Sequence, residues 1–171
     1  MPAFDYSSHR AHPRICYKLI SKFAREVVDL QNRNLYLERS TDGFCVMITP
    51  AAIYLGIDYS DLRGLTQTEF NHYVWLHSHK ARGFSNITIA ILHEMGHIAT
   101  KGHAPESYDR VKEIRKIEIE CGNNLRKANQ AYFRLPDEEL ATAWALRWLE
   151  NPENRKIAKK FEKEFFKAWR G

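Results

Sequence analysis

The sequence predicts an α+β domain in which a helix precedes a few short strands and several helices follow them. The first helix is predicted over residues 12–30, where apolar side chains recur every three or four positions. Two short apolar runs, 35–37 and 44–48, flank the turn-rich segment 40–43, which predicts a β-hairpin. A third strand is predicted over 52–57. Strands grouped between helices are typical of the α+β class.

The later helices are predicted from their caps and breaks. Ser85 or Asn86 supplies an N-cap for the apolar run that follows, and Pro136 with its acidic neighbours suits a first helical turn. The last helix is basic and amphipathic. Helices are predicted over 66–80, 85–100, 107–127, 136–150 and 153–169.

Composition indicates one folded domain spanning residues 1–171. Hydrophobic residues make up 44% of the chain and aromatic residues 12%, as in ordinary globular proteins. The sequence contains no apolar stretch of membrane-spanning length, and its first residues do not resemble a secretory leader. Three widely spaced cysteines, Cys16, Cys45 and Cys121, without a Cys-x-x-Cys pair, are typical of a reducing compartment. We therefore expect a cytoplasmic protein without membrane partners.

The strongest chemical signal is His93-Glu94-Met95-Gly96-His97, which fits the pattern H-E-x-x-H. Residues four apart share one face of a helix, so His93 and His97 can reach the same ion. Imidazole nitrogen suits Zn²⁺, and a catalytic zinc keeps one position for water, whose pKa it lowers. Glu94 then lies where a general base is needed. The pattern predicts a zinc site with a catalytic glutamate.

The sequence offers several candidates for the third zinc ligand. His103 stands six residues after His97, the spacing of the metzincin pattern, but Thr100 replaces its turn glycine and no methionine follows Met95. Glu138 begins a later helix in which the small Ala141 permits close approach to the helix of the H-E-x-x-H pattern. The remaining candidates are Glu106, Asp109 and Glu139.

Residues 85–150 resemble the ImmA/IrrE-type metallopeptidases, in which H-E-x-x-H precedes a helix of the form E-x-x-A-x-x-[F/W]-A-x-x-L. Glu138, Ala141, Trp144 and Ala145 match this form, and Trp148 lies near its last apolar position. The chain departs from it at Thr142, where the family usually has Asn or Asp, and in a longer charged segment before Glu138. The resemblance implies a small zincin-like fold of the gluzincin kind with Glu138 as third ligand.

Together these observations predict a zinc metalloendopeptidase. The resemblance implies a specific protein substrate, such as a regulatory or repressor protein of a phage, a mobile element or a stress response. Tyr108 and Tyr132 are candidate oxyanion donors that the spacing does not distinguish.

The alternative is a zincin-fold binding module whose zinc is structural or vestigial, for example an antagonist of a host defence. Net charge is +5, and residues 151–171 hold seven Lys and Arg against three Glu, a difference of +4. Such a balance suits nucleic acid or an acidic protein as partner. The same charges also suit an ordinary solvated helix face.

Overall fold

The computed structural model describes residues 13–39, 45–57 and 80–170. These residues form six helices and three strands, which confirms the α+β class. None of the described helices is both long and apolar enough to cross a membrane. The turn at 40–43 and all but the last residue of the helix predicted over 66–80 lie outside the described ranges. In chain order the elements are α1 (Pro13–Val27), β1 (Asn34–Arg39), β2 (Cys45–Ile48), β3 (Ala52–Ile57), α2 (Asn86–Ala99), α3 (Arg110–Cys121), α4 (Leu125–Tyr132), α5 (Pro136–Trp148) and α6 (Pro152–Arg170).

The three strands form a mixed sheet in the order β1-β3-β2. The predicted hairpin between the first two strands is therefore wrong, because β3 lies between them, parallel to β1 and antiparallel to β2. Ile53 and Leu55 on β3 are fully buried, which explains why this strand occupies the centre. A turn-rich segment shows where the chain leaves a strand, but it does not fix which strand becomes the neighbour.

The true hairpin joins β2 to β3 through residues 49–51. The backbone N–H of Thr49 donates to the carbonyl of Ala52 at 2.9 Å. The Thr49 hydroxyl donates to the same carbonyl at 2.9 Å and accepts from the Ala52 N–H at 3.0 Å. Pro50 follows Thr49 in this turn, and proline with a hydroxyl-bearing residue is a usual turn pair.

Helix α2 is buried on nearly all sides, as expected for a helix that is apolar around its whole circumference. It packs on α5 and also contacts α1, α6 and β2. Its fully buried Ile87, Ile91 and Leu92 belong to the same core as Phe23 of α1. The ring of Phe23 stacks on Phe161 of α6, with centroids 4.3 Å apart. The helix that carries the H-E-x-x-H pattern thus lies at the centre of the core of the described structure.

The charged segment after α2 was predicted as one helix, and it forms two. Helix α3 ends at Gly122, whose φ of +50° lies in the left-handed region that favours glycine. Asn124 then caps α4 by accepting a hydrogen bond from the N–H of Lys127 at 3.0 Å. The sequence Gly-Asn-Asn over 122–124 carries this break, which the prediction of a continuous helix overlooked.

Glu162 of α6 fixes the beginning of α2. Of the two predicted N-cap residues, Ser85 caps α2 with its side chain, and Asn86 is the first residue of the helix. The carboxylate of Glu162 accepts hydrogen bonds from the Ser85 backbone N–H and, at 2.9 Å, from the Thr88 hydroxyl. A negative charge at a helix N-terminus also interacts favourably with the helix dipole. Burial raises the pKa of Glu162, but the hydrogen bonds from Ser85, Lys159 and Thr88 outweigh it and hold the pKa below its ordinary value.

Replacing Glu162 with glutamine is expected to lower the free energy of unfolding by about 1–3 kcal/mol at pH 7, because charge-assisted hydrogen bonds are lost from a buried group. A carboxyl group with a lowered folded-state pKa stabilises the fold above its unfolded pKa, and this stabilisation disappears as pH falls through the folded pKa. Urea unfolding of both proteins from pH 7 to pH 3 should therefore show the difference shrinking with acidification.

Glu164→Gln is the matched control on the same helix. The Glu164 side chain is partly exposed, and its Oε2 lies 4.0 Å from Lys22 Nζ. Exposed pairs of this kind contribute roughly 0–1 kcal/mol. The proposed role of Glu162 would be contradicted if both variants lost the same free energy of unfolding. It would also be contradicted if the loss caused by Glu162→Gln did not change with pH.

Candidate metal centre

Two helices bring three potential metal ligands together. His93 and His97 lie on one face of α2, and Glu138 lies in the first turn of α5. One ligand atom from each residue lies within 4.8 Å of the others. Glu138 Oε2 is 2.9 Å from His93 Nε2 and 3.5 Å from His97 Nε2. The residues predicted from two separate segments therefore share one site.

This meeting depends on an unusually close contact between the two helices. A Cβ atom at Gly96 would lie 2.4 Å from the carbonyl oxygen of Ala141 and 2.9 Å from its Cα atom. Backbone atoms cannot move aside as a flexible side chain can, so a glycine is required at this position. The close approach of the two helices that was expected at Ala141 is confirmed, and Gly96 is the residue of α2 that permits it.

The carboxylate of Glu138 is only 2% exposed, and its charge is compensated from several sides. Burial raises its pKa, but hydrogen bonds from His93 and His97 outweigh this effect and keep the pKa of Glu138 far below its ordinary value. Arg110 Nη2 donates to Glu138 Oε1 at 2.9 Å. The carboxylate is therefore held ionised inside the protein, as a metal ligand must be.

The guanidinium of Arg110 links Glu138 to a wider polar network. Its Nη1 donates to Asp137, and its Nη2 also donates to the hydroxyl of Tyr132. The hydroxyl of Tyr108 donates to the other oxygen of Asp137. These residues come from the loop before α3, the start of α3, the end of α4 and the start of α5.

Thr142 orients the ring of His93 from the side away from Glu138. Its hydroxyl lies 3.2 Å from His93 Nδ1, and Thr142 is only 4% exposed. Ligating histidines commonly donate their second ring N–H to such a partner, which fixes the tautomer and the ring orientation. Thr142 is four residues after Glu138, so both side chains lie on the α5 face that packs on α2.

Glu94 is buried beside the histidines and borders a cavity of about 460 Å³. Burial raises its pKa, and the nearby Glu138 adds to this while the two histidines oppose it. Tyr132 also lines the cavity, and its burial and the charge of Glu138 raise the pKa of its hydroxyl, which stays protonated. A glutamate and a phenol thus line the same cavity as His93, His97 and Glu138.

These three side chains suit a zinc ion. Two imidazole nitrogens and one carboxylate oxygen are a common donor set for catalytic zinc. With ligand bonds of 2.0–2.2 Å, donor atoms around one tetrahedral ion lie roughly 3.4 Å apart, and the two distances to Glu138 Oε2, 2.9 and 3.5 Å, lie on either side of that value. The cavity provides access for a fourth ligand.

The other candidate ligands do not join this group. In the part of the chain that the structure describes, His103 lies exposed in the loop after α2, with its N–H bonded to the carbonyl of Thr100. Asp109 caps α3 through a hydrogen bond from the N–H of Lys112. Glu106 and Glu139 are also exposed. Of the two adjacent glutamates at the start of α5, the buried one faces the histidines.

Sequence reasoning missed Arg110 and Asp137 as parts of the site. Arg110 was one cation among many in a charged segment, and Asp137 served only as an acidic residue in a first helical turn. Thr142 was noted as a departure from the family form, although its spacing from Glu138 does predict a shared face. No local signal predicts that Arg110 reaches Glu138, because their contact depends on tertiary packing.

Comparisons with protein-family models, curated proteins and solved structures found no match for this chain. The resemblance to ImmA/IrrE-type metallopeptidases therefore stays a prediction. The features that indicate a metal site in this chain are the positions of His93, His97 and Glu138, with Glu94 beside them.

Thr142→Val is expected to weaken zinc binding about 10-fold, because changes to groups that orient a ligand typically cost 10–100-fold in metal affinity. Valine preserves the shape of threonine but removes its hydroxyl. Competition with a chromophoric chelator measures the zinc dissociation constant. Thr142→Ser keeps the hydroxyl and should bind zinc nearly as the wild type does, whereas equal affinity in the valine variant and the wild type would refute the orienting role.

Proposed function

We propose that this chain is a zinc-dependent metalloendopeptidase of the gluzincin kind, with a zincin-like fold. His93, His97 and Glu138 hold the zinc, and Glu94 is the general base. The observation that carries the proposal is the grouping of three metal-ligand side chains with an additional buried glutamate at the edge of one cavity. A purely structural zinc site has no need of that second glutamate.

Glu94 is suited to move a proton at this cavity. Zinc, when bound, supplies Lewis acidity that makes hydroxide available near neutral pH and polarises a substrate carbonyl. The Glu94 carboxylate takes a proton from the attacking water and delivers it to the leaving amine. Burial raises the pKa of Glu94 above its ordinary value, so this carboxylate is a stronger base than a solvent-exposed one.

The walls of the cavity suit a peptide chain. Four apolar side chains contribute to the lining of the cavity, namely Val46 and Ile48 of β2 together with Phe133 and Leu140. Apolar side chains of a substrate can pack there while its carbonyl group faces the metal position. Such a site accepts a segment of protein, and by resemblance we propose a specific regulatory or repressor protein in the cytoplasm as its substrate.

Glu94→Gln is expected to retain zinc but to lose about 10²–10⁴-fold in cleavage rate, the usual contribution of general acid–base catalysis. The substrate is unidentified, so zinc-loaded wild type and variant should be incubated with an undigested cell lysate and the new peptide N-termini counted by mass spectrometry. Wild type should generate new N-termini that Glu94→Gln does not.

The control for this experiment is His93→Ala, which should lose both zinc and cleavage. A lysate in which wild type and Glu94→Gln produce the same N-termini would contradict the catalytic role. So would a wild type that contains zinc and cleaves nothing in lysates from several sources.

A second candidate function, nucleic-acid binding, is favoured by one observation on α6. Four exposed lysines recur at intervals of four, three and four residues, which places them on one side of the helix, opposite the buried Phe161 and Phe165. We call these residues the lysine ridge. They are Lys156, Lys160, Lys163 and Lys167.

Replacing Lys160, Lys163 and Lys167 together with glutamine tests this candidate. If the ridge contacts phosphates, DNA affinity should fall, and the salt dependence of log K should decrease by about 0.9 for each lost contact. Fluorescence anisotropy with a labelled duplex at several salt concentrations measures both quantities. Glu94→Gln should not change them, and an unchanged salt dependence in the triple variant would exclude the ridge as a phosphate-binding surface.

A further inference from the structure

The two oxygens of Glu138 have different partners. Oε2 faces both histidines, at 2.9 Å from His93 Nε2 and 3.5 Å from His97 Nε2. Oε1 points the other way and accepts a hydrogen bond from Arg110 Nη2 at 2.9 Å. A carboxylate on a flexible side chain can rotate and offer either oxygen, or both, to an ion. Here the bond to Arg110 removes that freedom.

Arg110 can fix Glu138 because it is itself fixed by other groups. Nη1 donates to Asp137, and Nη2 donates to the Tyr132 hydroxyl as well as to Glu138. The guanidinium carbon also lies 5.3 Å from the centre of the Tyr132 ring. The planar guanidinium presents several donors in a rigid arrangement, which a lysine cannot reproduce. Its position therefore does not depend on Glu138 alone.

A cation beside a metal ligand would be unfavourable if its charge were uncompensated, because it repels the metal ion. Asp137 provides the compensation, since its carboxylate is paired with the opposite side of the same guanidinium. The Arg110–Asp137 pair is neutral as a whole, so Glu138 retains its negative charge toward the histidines. The network can orient the ligand without placing a net positive charge beside the ion.

We propose that Arg110 is a positioning residue of the metal centre, which holds Glu138 Oε1 so that Oε2 alone faces His93 and His97, and which thereby sets the affinity for zinc. This inference rests on the proposed zinc site and adds to it the residue that determines how Glu138 binds. It also assigns a role to the segment that separates α2 from α5.

That segment has both of its ends at the metal centre. Arg110 is the first residue of α3 and Tyr132 is the last residue of α4, and their side chains meet beside Glu138. The α3–α4 pair, whose two helices pack on each other, is thus joined to the third ligand through Arg110. The long segment between His97 and Glu138 therefore contains Arg110, the residue that orients Glu138.

Arg110→Met tests the proposal, with Arg115→Met as matched control. Arg115 is exposed on the same helix, so its loss removes the same charge without touching the network. Competition with a chromophoric chelator should show zinc affinity about 10–100-fold weaker in Arg110→Met and unchanged in Arg115→Met. Arg110→Lys, which keeps the charge but not the rigid set of donors, should give an intermediate loss.

A second readout separates positioning from a general loss of structure. With cobalt in place of zinc, the visible absorption band reports how many donor atoms surround the ion. In Arg110→Met, Glu138 is free to offer both oxygens, so the band should weaken relative to wild type and Arg115→Met at saturating cobalt. A variant that only loosens the fold would lower affinity without changing the spectrum of the bound ion.

The outcomes distinguish this inference from the metal site itself. A wild-type chain that binds no zinc contradicts both the zinc site and the positioning role of Arg110. A wild type that binds zinc while Arg110→Met keeps its affinity and its cobalt spectrum overturns the positioning role alone. If Arg110→Met does not fold, Asp137→Asn takes its place, because it releases the other side of the guanidinium, and unchanged affinity and cobalt spectrum in that variant likewise overturn the proposal.

Discussion

The contact between the backbones of α2 and α5 determines where every group of the metal centre lies. At Gly96 there is no room for even one additional carbon atom before the carbonyl of Ala141. This contact places the first turn of α5 against the histidines three residues before and one residue after Gly96. Helix α2 is itself buried in the core and held at its N-terminus by Glu162. The contact between α2 and α5 therefore defines the position of Glu138 relative to the core.

The buried carboxylate of Glu138 is paired with a group of opposite charge and with hydrogen-bond donors. His93, Glu94 and Glu138 are all less than 10% exposed in the middle of an apolar core, where isolated charges are strongly unfavourable. Glu138 is compensated by two histidines and by Arg110, and Arg110 in turn by Asp137. Polar groups concentrated in this way are typical of functional sites rather than of stabilising ion pairs.

The sequence predicted the parts of this arrangement that depend on local periodicity. Helical spacing placed His93 with His97, and Glu138 with Ala141. The N-cap signal at 85–86 and the first-turn proline Pro136 also located the beginnings of α2 and α5. Strand order was not predictable, because the turn-rich sequence of residues 40–43 carries no information about the pairing of β1 with β3. The role of Arg110 could not be predicted either. Arg110 and Glu138 are 28 positions apart in the chain, and their contact depends on tertiary packing.

The central claim is that His93, His97 and Glu138 bind one zinc ion. Elemental analysis of wild type, Glu138→Ala and His103→Ala, each purified without added metal, tests it most directly. The account predicts about one zinc per chain in wild type and in His103→Ala, and a loss of zinc in Glu138→Ala. Zinc that persists in Glu138→Ala and disappears in His103→Ala would contradict it, as would a wild type that neither contains zinc nor takes it up.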